Sequence, residues 1–553
     1  MVAVDDVDVA RASASGEDPE GPLGSRAASG VLWLAAQKWV VRASGIVTLA
    51  VLTRTVLPQE FGVVAAAMAV IPLVYLLADL GFSTYLLQAD ELDQRSLSTA
   101  FWASVAAGAV LSAALLASAP LLATAFRIPE LAPVLRTLVL AVIPTVLAGV
   151  PLALLRRAMA FRTVALQGLV AALLAQAVAI ALALLGGGVW ALVGQLMVTQ
   201  WVIALLAWRS AHWLPSFLLS PAQFRDMAAF GLNVSGVDVV ATLRNLAESW
   251  IVAVTLGTTA LGLLNISIRL IQVAQELTAA SLIPVSTVVF ARVRQSADRL
   301  RDTYLKALGV AYAVVSPVMI LIVVTAPVSI PLLFGSRWGG SVLPAQALAV
   351  AGIITLGAML DHGLFYGLGR PGAWLAYAVV VDTATVATTA VAVRWGLAGV
   401  AVGFVGVAFA ATAARWVLVS RLLTLPLRPM ARPFLTVLVP TGVSVVAGSA
   451  ALAALAGAGR LPALTVAGAV SITLYLVVLR LVAGGIVRDG LGVLPVPERY
   501  GQRIRRWLRL HPPGRHRATP GRHRAIGHAV ARTGHGHPDR TRTDQVSTIG
   551  TRG

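Results

Sequence analysis

Long apolar runs dominate the pattern of hydrophobic and polar positions in this chain. Short polar stretches separate the runs between residues 31 and 483, and a run of about 20 apolar residues is what a helix needs to cross a bilayer. We predict helices over fourteen segments: 31–55, 61–82, 97–122, 131–155, 164–185, 188–208, 228–256, 260–290, 305–327, 341–366, 374–394, 396–420, 433–457 and 462–483. The pattern therefore predicts an all-α polytopic membrane protein.

Composition agrees with this prediction. The chain is 58% hydrophobic and only 12% charged, which is too little charge to cover a soluble protein of 553 residues. It has no cysteine, so disulfides and thiolate metal sites are excluded. The net charge of +19 does not indicate nucleic acid binding, because 13 arginines against two aspartates lie in the segment from Arg499 to the C-terminus.

The two ends of the chain differ from its middle. Residues 1–28 combine acidic side chains with Ala, Ser and Gly, a composition that buries no core, so we predict a disordered cytoplasmic tail. They lack the basic and apolar regions of a secretory signal, and we expect helix 1 to act as the membrane signal. Residues 488–553 form a basic, largely disordered tail, in which residues 500–510 are typical of a helix that contacts anionic lipids.

Charge in the predicted loops sets the topology. With the N-terminus inside, the inner loops carry 15 lysines and arginines and the outer loops carry 5. Because cytoplasmic loops are richer in these residues, we predict a plasma-membrane protein with both termini in the cytoplasm.

Internal repetition divides the helices into two groups. Phe61-Gly62 after helix 1 corresponds to Leu261-Gly262 after helix 7, and the Gly188-Val-Trp-Ala-Leu-Val motif corresponds to Gly396-Leu-Ala-Gly-Val-Ala, with offsets of 200 and 208. We therefore predict two pseudo-repeated six-helix lobes around a central cavity, plus two extra helices. The predicted regions are an N-lobe over 29–208, a linker over 209–227, a C-lobe over 228–422 and helices 13 and 14 over 423–487.

Four of the cations inside the predicted spans are candidates for binding an anionic substrate. They are Lys38, Arg42, Arg244 and Arg269. A charge at mid-membrane costs about 2.5–3.5 kcal/mol, so such groups usually face a protein interior or a water-filled cavity. We expect the four to form an anion site in the cavity. Lys38 has an alternative, because its long side chain can reach the interface instead.

Two of these four cations have an acidic residue within reach on the same helix. Arg244 and Glu248 are four residues apart, and Arg269 and Glu276 are seven apart, so each pair shares a helix face. The alternative to an anion site is that each arginine is neutralised by its acid.

Four acids in the spans are candidates for coupling to H⁺ or Na⁺. They are Asp79, Glu248, Asp361 and Asp382. Each charge that moves across the membrane is worth about 2.3 kcal/mol per 100 mV. The alternative is a structural role at a helix end, which Asp79 favours because Gly81 follows it closely.

Several motifs resemble those of a known family. Leu52-Thr-Arg-Thr-Val-Leu-Pro-Gln-Glu-Phe-Gly, Leu154-Leu-Arg-Arg-Ala-Met-Ala-Phe-Arg, Leu261-Gly-Leu-Leu-Asn-Ile-Ser-Ile-Arg-Leu and Leu333-Phe-Gly-Ser-Arg-Trp are similar to those of Wzx-type polysaccharide and O-antigen flippases, in the same order. These flippases belong to the multidrug/oligosaccharidyl-lipid/polysaccharide exporter superfamily. The resemblance covers roughly residues 30 to 425. One departure is Glu248-Ser249, where the family often has an aspartate.

The resemblance implies two six-helix lobes around a V-shaped cavity. It also implies that the protein moves undecaprenyl-pyrophosphate-linked oligosaccharide from the cytoplasmic to the outer leaflet, and that polysaccharide polymerase machinery is a partner. Arg269 matches the arginine of the family's helix 8 motif. An arginine suits a pyrophosphate because its charge is permanent and its donors are forked.

Two other functions compete with this one. A multidrug exporter of the same superfamily would favour an acidic cavity, and the basic residues above argue against it. A membrane glycosyltransferase or polymerase usually carries a large outer loop with catalytic acids, and residues 328–340 form only a short outer loop with no acid. We find no P-loop or nucleophile motif, so we expect a transporter without catalytic residues, cofactor or metal.

Overall fold

The computed structural model describes residues 23–89, 91–279, 289–290, 293 and 295–493, and all of its regular structure there is helical. The N-terminal part contains eight helices. They are α1 (Leu23–Thr55), α2 (Pro58–Asp79), α3 (Phe82–Gln88), α4 (Gln94–Phe126), α5 (Leu131–Arg157), α6 (Phe161–Leu184), α7 (Val189–Ala211) and α8 (Pro221–Val234).

The described residues of the C-terminal part form eight more helices with defined bounds. They are α9 (Gly236–Ala279), α10 (Ala297–Phe334), α11 (Val342–Thr355), α12 (Gly357–Gly367), α13 (Pro371–Ala392), α14 (Gly396–Leu423), α15 (Leu427–Ala454) and α16 (Arg460–Val493), with short 3₁₀ turns at Ser336–Ser341 and Val393–Trp395.

Helix α9 is a hairpin of two arms. Gly257 has a φ of 85° and a ψ of 174°, which are not helical values. A straight helix of 44 residues would extend for about 66 Å, roughly twice the hydrocarbon thickness. The arm before Gly257 ends beside α4, because Trp250 donates to the carbonyl of Ala125 at the end of that helix (2.9 Å). The arm after Gly257 starts at the same end of the bundle, where Gly262 lies against Pro58.

The helices divide into fourteen spans in the part of the chain that is described. Eleven segments are long and apolar enough to cross a membrane. Two of them, Gly236–Glu276 and Pro371–Leu423, are each broken into two passes, the first at Gly257 and the second at the Val393–Trp395 turn. Helix α1, with 33 residues, adds the remaining pass. The predicted all-α polytopic fold with about fourteen spans is confirmed.

The two lobes meet along α2 and the second arm of α9. Helices α1, α2 and α4–α7 pack together as the first lobe, and α9–α14 pack together as the second. Helices α15 and α16 pack on each other and on α10, where Tyr475 donates to the carbonyl of Ala313 (3.1 Å). The last two helices are therefore an addition to the second lobe, as the repeat pattern predicts.

Helix α8 differs from the sequence prediction. Helix 7 was expected to run without interruption over 228–256, but the structure separates α8 from α9 at Ser235. Aromatic contacts hold α8 to the first lobe, since Phe82 contacts Phe224 and Tyr85 contacts Phe230 with ring centroids 5.9 and 5.5 Å apart. These contacts keep α8 with the first lobe, and α9 starts the second lobe after the break at Ser235.

The ends of several segments also differ from expectation. Helix α1 begins at Leu23, inside the tail predicted over 1–28, and α16 extends to Val493, beyond the predicted boundary at 487. The end of predicted helix 8 at residue 290 is preceded by residues 280–288, which are outside the described part. The interfacial helix predicted over 500–510 is outside it as well.

Candidate functional site

One stripe of the second arm of α9 faces the other lobe. Gly262, Arg269 and Glu276 are spaced by seven residues, so they share one face, with about 10 Å between neighbours. Gly262 packs against Pro58 and Gly62 of α2, and Glu276 forms an ion pair with Arg42 of α1. Arg269 is therefore held between two contacts that join the lobes.

Close packing joins the lobes at the Gly262 end, which we call the upper end. A Cβ atom at Gly62 would overlap the carbonyl oxygen of Thr258, and one at Gly262 would overlap that of Pro58. Only glycine at both positions permits this approach of two helices, as in other close helix pairs of membrane proteins.

Polar contacts add to the closure of the upper end. The indole of Trp338, which is fully buried, donates to the carbonyl of Thr53 (2.8 Å) and its ring contacts Phe61. Arg54 donates to the carbonyl of Leu332 on α10 (3.0 Å). The upper end of this structure is therefore closed.

The ion pair of Arg42 crosses between the lobes. Its Nη2 contacts Oε2 of Glu276, and the two side chains are 36% and 47% exposed. Among the ion pairs of described residues, this one alone joins the lobes. The alternative pairing of Glu276 with Arg269 is wrong, because the carboxylate turns toward α1. Lys38, one turn before Arg42 on the same face of α1, is exposed.

Arg269 differs from the other arginines of the site. Its side chain is half-buried and has no hydrogen bond or ion pair to any residue in the described ranges. Within the described ranges its charge therefore has no direct partner, and by its spacing from Gly262 and Glu276 it shares the face of α9 that looks toward the first lobe.

Arg244 lies in a different environment, inside the second lobe. Its Nη1 donates to both carboxylate oxygens of Glu248 at 3.1 Å, and its Nε lies 3.0 Å from Oδ1 of Asp382 on α13. The predicted pair of Arg244 with Glu248 is confirmed. The structure adds Asp382, which the sequence could not connect to a residue 138 positions earlier. Two carboxylates therefore compensate this one cation.

Asp79 is the last residue of α2, and the chain turns directly after it. Its Oδ1 accepts hydrogen bonds from the Ser83 hydroxyl (2.5 Å) and backbone N–H (3.4 Å). Leu80 and Gly81 adopt left-handed conformations with φ of 48° and 73°, which turn the chain into α3. The predicted position near a helix end is confirmed, and Asp79 has no cationic partner in the described structure.

Asp361 has two partners that sequence reasoning missed. Its Oδ2 accepts from Nη1 of Arg415 at 2.5 Å, and its Oδ1 accepts from the Tyr304 hydroxyl at 2.6 Å. Both charged side chains are completely buried. The available signal was an arginine in the middle of the apolar run 396–420, which indicates a buried acidic partner. Asp361 is consequently part of a sealed cluster within the second lobe.

The comparisons with known proteins agree with this architecture. The family described as "Polysaccharide biosynthesis protein" matches residues 51–343, which is more than half of the chain and includes the stripe from Gly262 to Glu276. The protein belongs to this family of membrane proteins.

One curated relative is the lipopolysaccharide biosynthesis protein WzxC of Escherichia coli (strain K12). It is 22% identical over 334 residues, which cover 60% of this chain and 68% of WzxC. The resemblance to Wzx-type proteins is thus confirmed.

Solved structures show the same fold. The lipid II flippase MurJ in an inward closed conformation has a TM-score of 0.65 at 12% identity, over 82% of this chain and all of MurJ. An inward-facing multidrug resistance transporter of the MATE family, from the MOP superfamily, has a TM-score of 0.59 at 15% identity, over 70% of this chain and 98% of that structure. This chain therefore shares the fold of these two structures.

Proposed function

We propose that this protein is a flippase for undecaprenyl-pyrophosphate-linked oligosaccharide. It moves this lipid from the cytoplasmic to the outer leaflet of the plasma membrane by alternating access, for surface polysaccharide biosynthesis. The family supports the polysaccharide pathway, and the name of WzxC supports the lipopolysaccharide class of product. The upper end, where the loops carry few basic residues, faces outward in this proposal.

Arg269 is the observation that carries the proposal. A diphosphate cannot enter hydrocarbon without a large desolvation penalty, and a fixed cation in a region of low dielectric offsets much of that penalty. A guanidinium that already had a carboxylate partner would stabilise a bound diphosphate less. Arg269 has none in the described structure and lies midway along the seam between the lobes.

The contacts of the other cations decide how large a part in substrate binding we assign to each. Arg42 lies across the seam from the α9 stripe and Lys38 lies one turn away on the same helix face, so both are placed to join Arg269 around one diphosphate. Arg244 has two carboxylate neighbours, so we assign it a smaller part in binding.

Asp79 is our choice for coupling to H⁺ or Na⁺. Glu248, Asp361 and Asp382 are each in an ion pair with an arginine, and a cation would have to displace that arginine. Asp79 accepts hydrogen bonds from Ser83 and forms no ion pair with a described residue, so a cation would have no arginine to displace there.

The test is replacement of the chromosomal gene by Arg269→Ala in its native bacterium. We expect surface polysaccharide to fall at least tenfold and lipid-linked oligosaccharide to accumulate in the inner leaflet, since loss of a charged hydrogen bond costs about 1.5–3 kcal/mol. Arg136→Ala is the matched control, because Arg136 is an exposed arginine of α5. Unchanged lipid pools together with increased drug sensitivity would instead favour a multidrug exporter.

A further inference from the structure

We propose that Glu276 is an internal substitute for the substrate's diphosphate. Its carboxylate holds Arg42 while the site is empty, and an arriving diphosphate displaces it and takes the guanidinium. This inference rests on the proposed function and adds a residue that determines how tightly the site binds.

The position of Glu276 is the first argument. It lies on the same face of α9 as Arg269, two turns away, and it reaches across the seam to Arg42. A ligand on this face of α9 would contact Arg269 at one end and approach the Arg42–Glu276 pair at the other.

The chemistry of the pair is the second argument. A guanidinium fork binds carboxylate and phosphate oxygens through the same parallel N–H donors, so Glu276 occupies the positions that a phosphate would use. Both side chains are exposed by more than a third, and a solute can therefore reach them. The Arg415–Asp361 pair is the contrast, because both of its members have no exposure and exchange of partners is blocked.

The net charge of the site favours replacement of the Glu276 carboxylate by a diphosphate. Arg42 and Arg269 lie along the seam, and Lys38 lies one turn from Arg42 on α1. Glu276 is their acidic neighbour, which leaves a net positive site that favours an anion of two or more charges. Once a diphosphate is bound, the carboxylate and the phosphates repel each other at close range. Substrate binding thus replaces the direct ion pair between α1 and α9 with contacts through the diphosphate.

The test uses the full-length protein in nanodiscs and farnesyl pyrophosphate as the probe, with farnesyl monophosphate and farnesol for comparison. We expect Glu276→Gln to bind farnesyl pyrophosphate three- to tenfold more tightly than the wild type does, and farnesol equally well. A damaged protein does not gain affinity, so this readout separates the proposal from a structural role. Asp302→Asn is the matched control, because it neutralises the acid of an exposed ion pair elsewhere.

A double-mutant cycle tests whether the gain acts through Arg42. If Glu276 competes for that guanidinium, the gain disappears in an Arg42→Gln background. If the gain in affinity persists in that background, it arises from the loss of a negative charge in general and not from release of Arg42, and the proposal is overturned. Unchanged or weaker binding of farnesyl pyrophosphate by Glu276→Gln would overturn it as well. Failure of the wild type to prefer farnesyl pyrophosphate over farnesol would instead overturn the proposed function itself.

Discussion

Gly62 and Gly262 occupy equivalent positions in the two lobes, 200 residues apart, and they pack against each other's helices. At each glycine, a carbonyl oxygen of the other helix lies where a Cβ atom would be. The oxygen of Thr258 lies there at Gly62, and the oxygen of Pro58 lies there at Gly262. The two positions of the sequence repeat are therefore the two halves of one contact, which closes the upper end of the seam.

We predict that Gly62→Leu separates the lobes at the upper end. The added side chain would overlap the backbone of Thr258, and backbone atoms of a packed helix cannot shift as a flexible side chain can. The chain has no cysteine, so spin labels at Glu130→Cys and Arg394→Cys report only on two exposed sites of opposite lobes. The distance between the labels should increase in Gly62→Leu.

Gly406→Leu is the control for this measurement, because a Cβ atom at Gly406 meets no atom within 4 Å. It should leave the distance distribution unchanged. An equal effect of the two substitutions would show that the glycine contact does not determine the separation of the lobes.

The Arg415–Asp361 pair should be required for folding of the second lobe. Removing one member of a buried ion pair leaves an uncompensated charge, at a cost of about 3–5 kcal/mol, and Nε and Nη2 of Arg415 already lack partners in the described structure. We expect Asp361→Asn to lower the thermal unfolding temperature in detergent markedly. Asp298→Asn should change it little, because Asp298 is 94% exposed in its pair with Arg301 and such pairs contribute about 0–1 kcal/mol.

Glu248 and Asp382 should compensate for each other. Each lies within 3.1 Å of Arg244, so Glu248→Gln or Asp382→Asn leaves the guanidinium one carboxylate. We expect each single substitution to destabilise the protein by about 1 kcal/mol, and the double substitution to cost more than the sum of the two. Thermal unfolding of the four proteins of the cycle measures this, and additive effects would contradict a shared role.

Asp79→Asn should uncouple transport from the ion gradient. The asparagine keeps a hydrogen-bond acceptor for Ser83 but loses the charge that would attract a cation. In proteoliposomes, we expect flipping by the variant to be independent of an imposed H⁺ or Na⁺ gradient, while Ser83→Ala retains the dependence. If flipping by Asp79→Asn still depended on the gradient, an acid other than Asp79 would be responsible for coupling.

Local composition was sufficient to predict the spans and the kind of fold. A run of apolar residues of bilayer length has few alternatives to a transmembrane helix, because backbone groups in lipid must be satisfied within the segment. Boundaries were less accurate where long-range contacts intervene. Helix α8, which is separate from α9, packs Phe224 and Phe230 against Phe82 and Tyr85 of the first lobe, and nothing in residues 221–236 alone specifies those partners.

The sequence by itself determined which charges must be buried, and only the tertiary structure decided how they pair. Spacing along one helix correctly predicted the Arg244–Glu248 pair, since residues four apart always share a face. The same reasoning failed for Glu276, because a partner on α1 lies closer than one two turns away on α9. It also missed Arg415 as the partner of Asp361. Helix packing brings distant residues together, and a single sequence carries no record of those distances.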